Sequence, residues 1–236
     1  MRIIKMIIPI LTLLIFLVGC NQSTNEIKVN TEASQSKMTN ENTGDTKVLI
    51  AYFSRIGNID SKNKVDATSS ASVVTQGDNL LGNTEYIADL IKNVTGGDIH
   101  FIKTSKKYPS EYDDSDNNAL DVQANKENRE NARPQLATKI NNIDNYDIVF
   151  LGFPNWYGDM PMAVYSFLEE YDLSDKKIFL FNSSGGSGAR DAYSKVSELQ
   201  PNAKVEKNIF SVRHSQVSQL TNDNIQDWLK EIAYED

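Results

Sequence analysis

The sequence predicts an α/β protein: a parallel sheet of five strands with helices on both faces. Three observations carry this prediction. Segments 47–53, 146–153 and 176–182 are continuous apolar runs rich in β-branched and aromatic residues, the pattern of strands buried on both faces. Amphipathic helical stripes fall between them. Strand and helix signals alternate strictly along the chain, which calls for crossover connections and parallel strands.

The elements follow in order. "KVLIAYF" (47–53) is the first strand. Ile87, Leu90, Ile91 and Val94 then repeat at helical spacing, and Gly96-Gly97 ends that helix. "DIHFIKT" (98–104) is a weaker second strand, and the polar stretch 115–132 is read as an edge helix. "YDIVFLGF" (146–153) is the third strand. The stripe Val164, Phe167, Leu168, Tyr171 follows it, with Pro161 suited to the first turn. "KKIFLFN" (176–182) is the fourth strand, followed by Ala192, Val196 and Leu199 up to Pro201. The second half of "AKVEKNIFSV" (203–212) supplies the last strand. Ile225, Trp228, Leu229 and Ile232 supply the last helix.

In such sheets ligands bind beyond the carboxyl ends of the strands. Three of those loops carry chemistry. "SRIGN" (54–58) turns the chain after a buried strand, where backbone N–H groups and a helix dipole can hold an anion. "PNWYGDMP" (154–161) places two adjacent aromatics where no packing pattern requires them. "NSSGGSGAR" (182–190) is rich in glycine and serine and lets backbone amides approach a flat ligand.

The first of these turns is written twice. "GNTEY" (82–86) repeats the Gly-Asn of "SRIGN", and Gly57 and Gly82 stand 25 positions apart. Only the second copy opens a helical stripe. The reading is therefore that Asn83 and Thr84 meet the anion with Ser54, and that Gly57-Asn58 begins an excursion with at most a secondary contact. The insert between, residues 59–81, is either a lid or a surface loop.

The segments "VLIAYFSRIGN", "YPSEY", "ARPQL", "YDIVFLGFPNWYGDMPMAVYSFLEEYDLSDKKIFLFNSSGGSGA" and "PNAKVEK" together resemble the flavodoxin-like family over about residues 46–235. The resemblance implies a doubly wound five-stranded parallel sheet in the order 2-1-3-4-5, binding FMN without a covalent link. It implies Ser54, Arg55, Gly57 and Asn58, with Gly82, Asn83 and Thr84, around the ribityl phosphate. It implies Pro154, Asn155, Trp156, Tyr157, Gly158 and Asp159 along the ring, with Ser183, Ser184, Gly185 and Gly186 at its other edge. The order of Trp156 and Tyr157 leaves the stacking aromatic open. The fourth loop lacks the family's His, and Ile56 stands where many members have Thr. Asp159 is expected to place negative charge near the ring and so lower its potential.

The chain begins with basic Arg2 and Lys5, an apolar run from Met6 to Val18, and Leu17-Val18-Gly19-Cys20. This resembles a bacterial lipoprotein signal, which implies removal of residues 1–19 and acylation of Cys20. The polar residues 21–45 then read as a disordered tether to a domain at 46–236. Cys20 is the only cysteine, so the body holds no disulfide, cysteine-rich metal site or catalytic thiol. The net charge of −8 becomes about −10 without Arg2 and Lys5, which argues against nucleic acid.

The expected function is electron transfer by a lipid-anchored, extracytoplasmic FMN protein. Its partner would be a redox protein or a membrane donor or acceptor, reached through an acidic face. The alternatives are an FMN-dependent NAD(P)H or quinone reductase, and a binding lipoprotein that has kept the fold and lost the flavin. His100 reads as structural and His214 as a surface residue. "EYDDSD" (111–116) reads as a solvated acidic loop.

Overall fold

The computed structural model describes residues 46–60, 72–76, 79–111 and 119–234. The signal segment, Cys20, the tether, residues 61–71 of the insert and most of the 111–116 acidic run lie outside the described residues. Among the described residues no helix is long and apolar enough to cross a membrane.

The described chain runs β1 (Val48–Tyr52), β2 (Val73–Gln76), β3 (Asn79–Gly82), α1 (Asn83–Thr95) and β4 (Asp98–Phe101). It continues with α2 (Leu120–Arg129), β5 (Ile148–Pro154), α3 (Met162–Glu170), β6 (Lys177–Ser184) and α4 (Ala192–Leu199). It ends with β7 (Lys204–Val205), β8 (Phe210–Arg213) and α5 (Asn222–Glu231).

The main sheet has the order β4-β1-β5-β6-β7, with β8 also on β6, and every pairing in it is parallel. This is the expected 2-1-3-4-5 order, with the fifth strand in two pieces. β7 pairs with the start of β6 and β8 with its end. The interruption has a use: the Asn208 carbonyl accepts the Trp228 indole N–H at 3.3 Å and so ties the edge to α5.

Alternation along β1 sorts the core into two layers. Leu49, Ala51 and Phe53 pack with Val164, Phe167 and Leu168 of α3 and Val196 of α4. Val48, Ile50 and Tyr52 pack with Ile87 and Ile91 of α1 and with Ile225, Trp228 and Leu229 of α5. Helices thus cover both faces. Gly96 closes α1 in the left-handed conformation (φ +71°), with its N–H on the Lys92 carbonyl at 2.8 Å. Pro161 stands one residue earlier than expected, as the N-cap of α3 rather than inside its first turn.

The part of the insert that was read as a lid, residues 66–72, lies almost wholly outside the described residues; the part after it has regular structure. β2 and β3 form an antiparallel hairpin, with Val74 opposite Leu81 and Thr75 opposite Leu80. Leu81 and Val74 turn into the core layer that holds α1. The hairpin delivers the chain directly into α1 at Gly82.

Candidate functional site

The two copies of the Gly-Asn turn have different work. β1 ends at Tyr52, and Ser54 lies almost fully buried beyond it, 1% exposed. A methyl group on Gly82 would lie 1.7 Å from Ser54 Oγ, so the strand end and the N-terminus of α1 touch at a position only glycine fits. Ser54 Oγ has no hydrogen-bond partner. Asn83, in the first turn of α1, is fully buried, and neither its Oδ1 nor its Nδ2 has a partner. Thr84 beside it is 1% exposed. Each unsatisfied buried polar group costs about 1–3 kcal/mol. Two of these atoms, Ser54 Oγ and Asn83 Nδ2, are donors gathered at the positive end of a 13-residue helix, an arrangement able to receive an anion. The Gly82 N–H is taken by the Glu85 carboxylate at 3.1 Å and the Asn83 N–H by the Ser72 carbonyl at 3.0 Å. Among the described residues, the Ser54 and Asn83 side chains are what remain for a ligand.

The first copy serves architecture instead. Asn58 Nδ2 donates to the Ser54 and Ile102 carbonyls at 2.9 and 3.0 Å. Its Oδ1 accepts the Thr104 N–H at 2.8 Å and the Thr104 hydroxyl at 3.1 Å. The Asn58 side chain therefore latches the loop after β1 to the loop after β4 and keeps no group for phosphate. Gly57 holds φ +92°, and a methyl there would lie 2.8 Å from the Phe101 ring. Arg55 is fully buried and donates from Nη2 to the Ser110 carbonyl.

The loop after β5 separates the two adjacent aromatics. Trp156 and Asp159 exchange backbone hydrogen bonds at 2.8 and 3.0 Å, closing a two-residue turn at Tyr157-Gly158. Both turn residues have positive φ, +57° and +81°, as a type I′ turn requires. A bulky residue with positive φ is a strained choice. Its result is that Tyr157 stands 42% exposed while Trp156 folds inward at 8%. Trp156 lies edge-on to Phe53 and Tyr108 at 5.2 and 5.4 Å, and its indole N–H donates to the Ser72 hydroxyl at 3.2 Å. Ser72, at the returning end of the insert, thus bridges the α1 end and the aromatic end of the site. The sequence reading named it only as the end of a hydroxyl-rich stretch of the insert, not as a site residue. Its signal is weak, one serine among the hydroxyl-rich residues before β2.

Asn155 clamps this turn. Its Oδ1 accepts the Gly158 N–H at 3.0 Å, and its Nδ2 donates to the Gly188 carbonyl at 2.8 Å. Asp159 corrects an expectation. Its carboxylate accepts from Lys195 Nζ at 2.5 Å, the Tyr165 hydroxyl at 2.8 Å and the Met160 N–H at 2.7 Å. The charge is neutralised inside the protein and does not stand free beside a ring. Burial, and then the bond to Asp159, pushes the Tyr165 phenol well above its ordinary pKa, so it stays a donor. Lys195, on α4, was not anticipated, because 36 residues separate it from Asp159.

The loop after β6 is folded by a hydroxyl. Ser184 Oγ accepts the Gly186 and Gly188 N–H groups at 3.2 and 3.0 Å. Pro154, Ser183 and Ser184 are buried at the strand ends, while Gly185 and Gly186 are exposed beside them. The glycines, rather than the serines, face outward. His100 is half-buried, packs on Phe167 at 6.0 Å and is held neutral by burial, in keeping with a structural role.

These loops all open at the carboxyl ends of β1, β5 and β6. A family model for flavodoxins matches residues 78–232, well over half of the chain. The chain belongs to the flavodoxin family. Among solved structures, a protein assigned as a flavoprotein from Bacteroides eggerthii is 23% identical. The match covers 81% of this chain and 100% of that one, with a TM-score of 0.59. A second, from Bacteroides uniformis, is also 23% identical over 74% of this chain and 96% of that one, with a TM-score of 0.52. Both share the fold of this flavodoxin-family chain. No curated protein matches it.

Proposed function

We propose that the chain is an FMN-binding redox protein, and that its amino-terminal segment tethers it to the outer face of a bacterial membrane through acylated Cys20. One observation carries the FMN reading. The buried Ser54 hydroxyl and Asn83 Nδ2, unpartnered among the described residues, converge at the N-terminus of α1, where a ribityl phosphate would accept from both. Family membership supports FMN as the cofactor. The residues fit the group: Tyr157 offers an exposed aromatic face, and Gly185 and Gly186 let backbone approach the ring from the other side. A chain that had lost its flavin would have no reason to keep two unpaired buried donors at one helix end.

When bound, FMN supplies one- or two-electron chemistry. The protein's part is to hold and orient it. Asn58 and Asn155 fix the loops, the α1 end binds the anion, and Trp156 backs the turn that presents Tyr157. The amino-terminal sequence supports the tether: a basic start, an apolar run and a lone cysteine after Gly19.

The test is the visible spectrum of the purified chain. A yellow protein with one FMN per chain is the expected result. A colourless chain that takes up no added FMN overturns the reading. A second measurement assigns the aromatic. Tyr157→Ala is expected to weaken FMN binding about tenfold, the scale of a lost aromatic stack. Trp156→Phe, by contrast, changes affinity less than about threefold, while its cost falls on stability as a core change. Fluorescence titration of both variants with FMN distinguishes the two outcomes.

A further inference from the structure

Two arginines at the carboxyl edge have no use in the fold. Arg190 ends the loop after β6, is exposed, and holds φ +51°. Its Nε would lie 3.9 Å from a methyl group on Gly158, so it stands over the turn that carries Tyr157. Arg213 closes β8 opposite Ser184 and is also exposed. Its Nη2 would lie 3.3 Å from a methyl on Gly186, so its guanidinium lies along the loop after β6. Neither makes a hydrogen bond or ion pair among the described residues. The other cations nearby are engaged: Arg55 with the Ser110 carbonyl, Arg133 with Glu169 and Lys195 with Asp159. The acid that could have neutralised the edge, Asp159, is already held by Lys195.

The chain as a whole carries a net charge of −8. Two unpaired guanidiniums beside the two loops that bracket the ring therefore form a local reversal of sign. At physiological salt the Debye length is about 8 Å. A small ion at the ring edge then feels the two arginines, and the exposed Asp191 next to Arg190, more than the remaining acids, and the local balance stays positive. An acidic protein, covering a standard interface, meets the acidic chain as a whole. The planar fork of arginine suits carboxylate and phosphate.

We infer that Arg190 and Arg213 form a subsite for the anionic group, carboxylate or phosphate, of a small-molecule electron donor or acceptor that reaches the flavin beside Tyr157-Gly158. The inference rests on the FMN reading and replaces the expectation of docking through an acidic face.

The experiment uses the full chain loaded with FMN and reduced anaerobically by dithionite. Reoxidation is followed by stopped flow with hexacyanoferrate(III) as the anionic probe, benzoquinone as the neutral one and tris(phenanthroline)cobalt(III) as the cationic one. Each hexacyanoferrate(III) takes one electron, so two are consumed for each fully reduced flavin. The expected result is that the hexacyanoferrate rate falls as ionic strength rises from roughly 10 to 200 mM, the sign of attraction. In the Arg190→Gln, Arg213→Gln double variant the low-salt hexacyanoferrate rate falls about tenfold, while the benzoquinone rate changes less than about twofold. Exposed Arg-to-Gln changes of this kind leave stability nearly unchanged, so the variant folds. A hexacyanoferrate rate that rises with salt in the unsubstituted protein overturns the subsite, since the net charge then governs approach. So does an equal loss of all three rates in the double variant. A chain that retains no visible flavin band fails earlier and overturns the FMN reading itself, which keeps the two failures apart.

Discussion

Replacing Asn83 by Leu is expected to abolish measurable FMN binding while making the flavin-free chain more stable. The two effects have one cause. Asn83 is fully buried in the first turn of α1, and neither side-chain atom has a partner. Leu has nearly the same branched shape and no polar atom. Removing both unsatisfied groups relieves about 2–6 kcal/mol in the free protein before relaxation. For a domain of this size that raises Tm by roughly 4–24 °C. In the loaded protein the same change removes hydrogen bonds to a charged phosphate, each contributing about 1.5–3 kcal/mol. Affinity then falls roughly 100-fold or more. Asn83→Asp separates charge from shape: it keeps the outline, sets a carboxylate beside the phosphate, and loses FMN at least as completely. Thermal scans of the free chain and FMN titrations of both variants check this. An Asn83→Leu chain that is less stable and binds FMN normally would show that the amide is structural and that the anion sits elsewhere.

How much of this was legible before any coordinates depends on whether the cause was local. The buried strands and helical stripes are local patterns, so five strand positions and the helix layers follow from the sequence, while the strand order came from the family resemblance. Which loops gather at the carboxyl edge follows from the alternation. The β2–β3 hairpin carried a local signal that the reading passed over. Val73-Val74-Thr75-Gln76 and Asn79-Leu80-Leu81-Gly82 flank Gly77-Asp78, a pair suited to a two-residue hairpin loop. The divided fifth strand could not be read, because it depends on Trp228 reaching Asn208 across 20 residues. The same holds inside the site. Trp156 and Tyr157 are neighbours in sequence, and only Phe53, Tyr108 and Ser72 around the indole decide which one turns inward. Asp159 looked like a charge near the ring until Lys195 and Tyr165, brought by α4 and α3, engaged it.

Asn58 tests the same division from the other side. Asn58→Ala is expected to destabilise the chain by about 3–5 kcal/mol and to lower Tm by roughly 6–20 °C. The side chain makes four buried hydrogen bonds, two donated to carbonyls and two accepted from Thr104, which is itself 2% exposed. Alanine would leave the Thr104 N–H and hydroxyl unpaired in the interior, along with the Ser54 and Ile102 carbonyls, each at about 1–3 kcal/mol before relaxation. Asn58→Asp keeps the acceptor for Thr104 and loses both donors, so its Tm falls between those of the alanine variant and the parent. The decisive quantity is the rise in Tm that a fixed excess of FMN produces, because ligand binding adds stability as the logarithm of free ligand over Kd. A latch lowers the free and the loaded Tm together and leaves that rise nearly intact. A phosphate ligand shrinks it. If Asn58→Ala cancels the rise while Asn83→Leu preserves it, the anion belongs to the first Gly-Asn turn and not to the second. The converse result fixes the phosphate at the only one of the two turns that opens a helix.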